Sequence, residues 1–144
     1  MEQKYYKDDK NSLFWELKTS KNKRFEYTIE EAFGYAQELN AENFAGFNDW
    51  RLPSLDDLKS LATIQLYDYN GDYKTWRTWY ESIKDFAPSG FFVPDELSEQ
   101  IGKEGWYWSS TKKSDNEYYL VNFKEANINF HEAKQSFYVR CVRG

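Results

Sequence analysis

Apolar and polar positions along this chain follow two periods, and the change from one to the other marks its elements. Leu13, Trp15 and Leu17 alternate with Phe14 and Glu16, the two-residue period of a strand, after a turn at Asp9-Lys10-Asn11. Residues 4–7 are polar and aromatic and read as a short first strand. From Thr28 the period lengthens: Ile29, Ala32, Phe33, Ala36 and Leu39 share one helical face, and Thr28 with Glu31 forms a capping box. This helix is expected to end near Asn40. A second helix is expected from Leu55 to about Ile64, with Leu55, Leu58 and Leu61 on its apolar side. Pro53 fixes its own φ and biases Leu52 toward extended backbone, Ser54 stands at the N-cap, and Asp57 is the return partner.

Residues 66–105 show no such regularity. A short helix is expected at 79–86, ended by Ala87-Pro88-Ser89-Gly90; a buried Phe91-Phe92-Val93 and a turn from Pro94 to Leu97 follow. The last third reads as strands at 106–109, 117–124, 128–131 and 137–142, paired antiparallel through short turns. In the second of these Tyr119, Val121 and Phe123 face one way and Tyr118, Leu120 and Asn122 the other; in the last, Phe137, Val139 and Cys141 share a face. Asn127 is the candidate for positive φ in the turn 124–127. The pattern predicts an α+β fold: two helices packed on a twisted antiparallel sheet, with a long irregular loop region. One domain is expected over 1–144, with 66–105 as an aromatic-rich insertion within it.

Composition narrows the function classes. Of 144 residues 40% are hydrophobic and 20% aromatic, against 3 Pro and 7 Gly, which speaks for an ordered core. The net charge of −5 disfavours nucleic acid as a partner, and no apolar run approaches membrane-spanning length, so no membrane insertion is expected. Met1-Glu2-Gln3-Lys4-Tyr5 lacks the apolar stretch of a signal peptide; the protein is expected to be cytoplasmic, or a secreted or surface protein whose signal has been removed. A single cysteine, Cys141, permits no internal disulfide.

Three runs carry a resemblance. Asp49-Trp50-Arg51-Leu52-Pro53-Ser54 with Leu58 and Leu61, then Trp106-Tyr107-Trp108-Ser109-Ser110-Thr111, then Tyr138-Val139-Arg140-Cys141-Val142-Arg143-Gly144, together resemble the bacterial Lcl C-terminal domain family, found at the end of a collagen-like adhesin of Legionella. The resemblance implies a C-type-lectin-like fold and binding rather than catalysis; the Legionella relative implies adhesion through sulfated glycans. Asp49, Trp50, Arg51, Pro53, Trp106, Trp108 and Arg140 match the family's motifs and are expected to be structural. Arg51 is expected to hold backbone carbonyls or a carboxylate at the turn before the second helix, the three tryptophans to sit in the core, and Arg140 and Arg143 to pair along a sheet edge.

Catalytic chemistry finds little support. The related fold of the formylglycine-generating enzymes works through paired cysteines, whereas Cys141 is alone on an apolar strand face. His131, the only histidine, has no carboxylate at a diagnostic spacing. Asp68, Asn70 and Asp72 offer oxygens to calcium, but Gly71 falls one residue early for an EF-hand and no bidentate glutamate follows; a turn is the plainer reading. No cofactor is expected. Lys18, Lys21, Lys23 and Arg24 read as a solvated basic loop. The binding surface is expected in the aromatic stretch, where Tyr69, Tyr73, Trp76, Trp79 and Tyr80, aided by Arg77, would receive a glycan or a protein ligand. An enzyme of the same fold, and a subunit that self-associates through these rings, are the alternatives.

Overall fold

The structure, a computed structural model, describes residues 3–19, 22–102 and 105–144; Lys21 of the basic loop and the first two residues lie outside the described residues. Strands β1 (Tyr5–Asp8) and β2 (Leu13–Glu16) come first, then helices α1 (Ile29–Ala41) and α2 (Leu55–Leu61). A short β3 (Tyr67–Asp68) leads into α3 (Tyr73–Ile83), and a 3-10 turn at Asp95–Gln100 precedes β4 (Trp106–Ser114), β5 (Glu117–Asn122), β6 (Asn127–Glu132) and β7 (Val142–Arg143). Two sheets result, in the orders β1-β2-β7 and β3-β6-β5-β4.

The second sheet carries apolar side chains on both faces. Val121, Phe123 and Tyr107 face a cluster closed by Leu58 and Leu61 of α2; Leu120, Tyr118 and Trp108 face another closed by Ile29, Ala32, Ala36 and Leu39 of α1. The alternation read along β5 is therefore the division between two halves of the core. Both capping boxes form: the Thr28 hydroxyl accepts from the Glu31 amide, and the Ser54 hydroxyl from that of Asp57.

The expected architecture needs five corrections. Among the described residues there are two sheets rather than one, with β3 pairing parallel to β6. The region 66–105 is largely regular: its helix runs from Tyr73 to Ile83, because the Asp72 carboxylate caps it by accepting from the Thr75 amide at 3.1 Å. The closing segment is not one strand. Tyr138 bridges to β4, whereas Val142 pairs with Trp15 and Arg51, so 137–143 crosses from one sheet to the other. Its alternation survives: Phe137, Val139 and Cys141 meet one cluster, Tyr138 and Val142 the other. Asn127 pairs with Asn122 as strand, and Ala126 takes the positive φ of 55° in its place. Phe33, counted into the apolar stripe of α1, stands exposed and meets only the edge of the Tyr118 ring at 6.5 Å among the aromatic contacts.

Candidate functional site

The aromatic stretch comes together, but facing inward. Tyr73, Trp76 and Tyr80 line one face of α3 at helical spacing, with ring centroids 5.5 Å and 5.1 Å apart. Trp76 is 5% exposed and its indole N–H donates to the Glu125 carbonyl at 3.2 Å. It fastens the helix to the β5–β6 turn and has no free face for a ligand, contrary to expectation. Trp79 is half-buried against Tyr67, and Tyr69 is half-buried where its amide donates to Ile128 beside β6. Arg77 is held by Glu81 at 2.6 Å. The most exposed apolar side chains of this region are Tyr73, 58% exposed, and Phe86, 70% exposed beyond the helix end, with parts of Tyr69, Trp79 and Tyr80 beside them. Asp72 is spent on its cap and Asn70 accepts from the Asp72 amide at 3.0 Å, so two of the three oxygen donors weighed for calcium shape the turn.

A concave surface lies elsewhere. An open groove of about 860 Å3 runs between Lys23, Arg24 and Glu26 on one side and 98–102 on the other, with Phe91 and Tyr138 supplying ring surface. Its volume falls within the range of small-molecule sites. Lys23 reaches across to donate to the Glu99 carbonyl at 2.6 Å. Gly102 lies against Tyr138 so closely that a β-carbon there would collide with the ring. Arg24, Glu26 and Glu99 are exposed, and Phe91 is half-buried.

Behind the groove lies a buried ionic cluster. The Lys18 ammonium meets the Glu16 carboxylate at 2.9 Å, with both side chains almost wholly buried. The Tyr35 hydroxyl donates to the other carboxylate oxygen at 2.6 Å, and the Cys141 amide to the first at 2.8 Å. Arg140 donates to the Glu16 carbonyl at 2.7 Å and to the Gln100 carbonyl. The Gln100 side chain accepts from the Lys18 amide at 2.5 Å and donates to the Lys18 carbonyl at 2.9 Å. One groove wall is thus tied to the core by a glutamine that bridges 82 residues. Burial pushes the Lys18 ammonium below its usual range, against the pull of Glu16. Burial, then the Glu16 carboxylate, pushes the Cys141 thiol and the Tyr35 hydroxyl up.

These positions correct two expectations. Lys18 is not solvated, because Glu16 and Lys18, two apart, point to the same side and share one buried site. Arg140 is not at a sheet edge but 2% exposed. Arg143 does pair: it grips Asp49 through Nε at 2.5 Å and Nη2 at 3.0 Å while lying 3.9 Å over the Phe47 ring. Arg51 binds Asp57 at 2.6 Å at the start of α2. Trp50 and Trp108 are buried and Trp106 half-buried; Pro53 is buried and its carbonyl accepts from the Ser110 amide. Glu26, Phe91, Glu99, Gln100 and Tyr138 are not readable as site residues from the sequence, since they come from separate segments with no shared spacing.

The family model described as the Lcl C-terminal domain matches residues 4–143 of this chain. No curated protein matches the chain.

Proposed function

Since this chain belongs to the Lcl C-terminal domain family, we propose that it is a noncatalytic recognition module, C-type-lectin-like in fold, that holds a glycan or protein ligand in the groove between Lys23 and Gln100. The observation that carries this reading is the groove itself: concave, partly aromatic and edged by exposed charged side chains. The noncatalytic part is supported by the two groups an enzyme of this chain would need. Cys141 is fully buried with its thiol pushed up, and His131 sits against the Trp106 and Phe137 rings, 6.3 Å and 5.2 Å away between centroids.

The test is a screen of glycan and protein arrays with three proteins: wild type, Arg24→Ala/Glu99→Ala, and Tyr73→Ala/Phe86→Ala. Binding lost only in the groove variant supports this assignment. Binding lost only in the second variant supports the alternative favoured by the exposed Tyr73 and Phe86, a contact surface on α3 for a protein or another copy of the chain. Wild-type binding unaffected in both variants would sink both.

A further inference from the structure

We infer that the groove recognises an uncharged, hydroxyl-rich ring, a neutral saccharide, rather than an anion or an extended peptide; this rests on the groove being the binding site. The first reason is charge. Among the described residues the lining has two cations, Lys23 and Arg24, and two anions, Glu26 and Glu99, so their formal charges balance. Lys23 is also committed in part, since its ammonium donates to the Glu99 carbonyl at 2.6 Å. A sulfate or carboxylate entering here would face two carboxylates beside the two cations. The described lining offers no concentrated positive field to offset its loss of water.

The second reason is the match of donors and acceptors. A sugar hydroxyl both donates and accepts, and adjacent hydroxyls do so in pairs. Carboxylates accept, while Arg24 and Lys23 donate, from the same lip of the groove or across it. Charged partners roughly double the strength of such bonds without requiring charge on the ligand. The third reason is Phe91, a half-buried ring lining the same space, which suits the apolar C–H face of a pyranose. The wall opposite Lys23 argues against a peptide strand. From Asp95 to Gln100 it is a 3-10 turn without a strand edge, and the next amide, Gly102, already donates to the Tyr107 hydroxyl at 2.8 Å.

Rigidity strengthens the assignment. Gln100 contributes wall more than contacts, because its side-chain oxygen accepts from the Lys18 amide and Arg140 and one of its N–H groups donates to the Lys18 carbonyl. The ligand-facing groups therefore hang from a wall that the buried ionic cluster holds in one place.

The test is calorimetric titration of the folded protein with maltotriose, chitotriose and xylotriose as neutral probes, and a heparin tetrasaccharide as the sulfated one. At least one neutral probe is expected to bind, with affinity unchanged between about 50 and 300 mM salt, as uncharged ligands require. Glu26→Gln/Arg24→Gln, exposed and remote from the core, should weaken it about fivefold or more, the loss of one or two charge-assisted bonds. Phe91→Leu should weaken it by a similar factor through lost ring contact. Preference for the heparin probe, with affinity falling as salt rises, would overturn this inference while leaving recognition at the groove intact. Silence from all three neutral probes would overturn it too; the array screen then decides separately whether the groove binds anything. Neutral binding indifferent to both variants would move the sugar site away from the groove and refute the assignment.

Discussion

Glu16→Gln is the most informative single substitution in this protein. It preserves shape and removes one charge from a site where Lys18 is its ion-pair partner at 2.9 Å and Arg140 is buried alongside. Two cations would then remain inside with no carboxylate. Breaking a buried pair in this way costs about 3–5 kcal/mol. The structure supplies a ceiling by another route. Lys18 can escape by losing its proton, but at pH 7, about 3.5 pH units below its ordinary 10.5, that costs about 4.8 kcal/mol. Against a typical total of about 5–15 kcal/mol this is a large share of the stability. Urea unfolding followed by the fluorescence of the 6 tryptophans should show it as a midpoint lowered by about 2 M at unchanged slope. Adding Lys18→Met should recover about 1–3 kcal/mol, since the second change removes the stranded charge. The deficit of the single variant should also shrink with rising pH up to about 10.5, because a lysine whose folded-state pKa is lowered favours the native state as protons become scarce. A loss under about 1 kcal/mol, or a double variant weaker than the single by the full sum, would refute the view that this cluster is dry and electrostatically coupled.

The remaining predictions concern the groove wall, the third helix and alkaline pH. Gly102→Ala drives a methyl into the Tyr138 ring and should cost about 1–3 kcal/mol in thermal or urea unfolding; wild-type stability would mean the ring can move aside. Asp72→Ala removes the cap that accepts the Thr75 amide and hydroxyl, and should cost about 1 kcal/mol, recovered by Asp72→Asn. Faster amide exchange confined to 73–83 is the expected signature, and unchanged exchange there would contradict the cap. The Tyr27 hydroxyl is pushed up to about 12 by burial, and Tyr35 and Cys141 are raised as well. A raised folded-state pKa gives stability that is complete below the ordinary values, 10.0 for tyrosine and 9.0 for cysteine, and lost as pH climbs through the folded ones. Lys18 acts in the opposite sense up to its ordinary 10.5, so the melting temperature should fall from about pH 10.5 upward, where that gain is complete. A flat profile to pH 11 would count against burial of these groups.

Local chemistry made much of this molecule legible before any coordinates. Capping boxes at Thr28 and Ser54 are complete within four residues, so both helix starts could be read directly. The two faces of β5 were visible in its alternation, because strand geometry sends neighbours to opposite sides whatever they meet there. The family followed from three ordered motifs, and it holds over 4–143. Even α3 had left its trace: Trp76, Tyr80 and Ile83 keep helical spacing, hidden by the aromatic and β-branched residues that weaken helix propensity.

What pattern could not convey is which side of each element is covered, and by what. A ring in an amphipathic stripe reads alike whether the stripe meets solvent, a ligand or the Glu125 turn, and Trp76 met the turn. A lysine in a run of lysines reads as solvated until a chain end 122 residues later brings Arg140 and Cys141 over Glu16 and Lys18. The groove belongs wholly to this second kind of information. Its members come from residues 23, 24, 26, 91, 98–102 and 138, and proximity among them is a product of packing between distant segments, to which no local spacing corresponds.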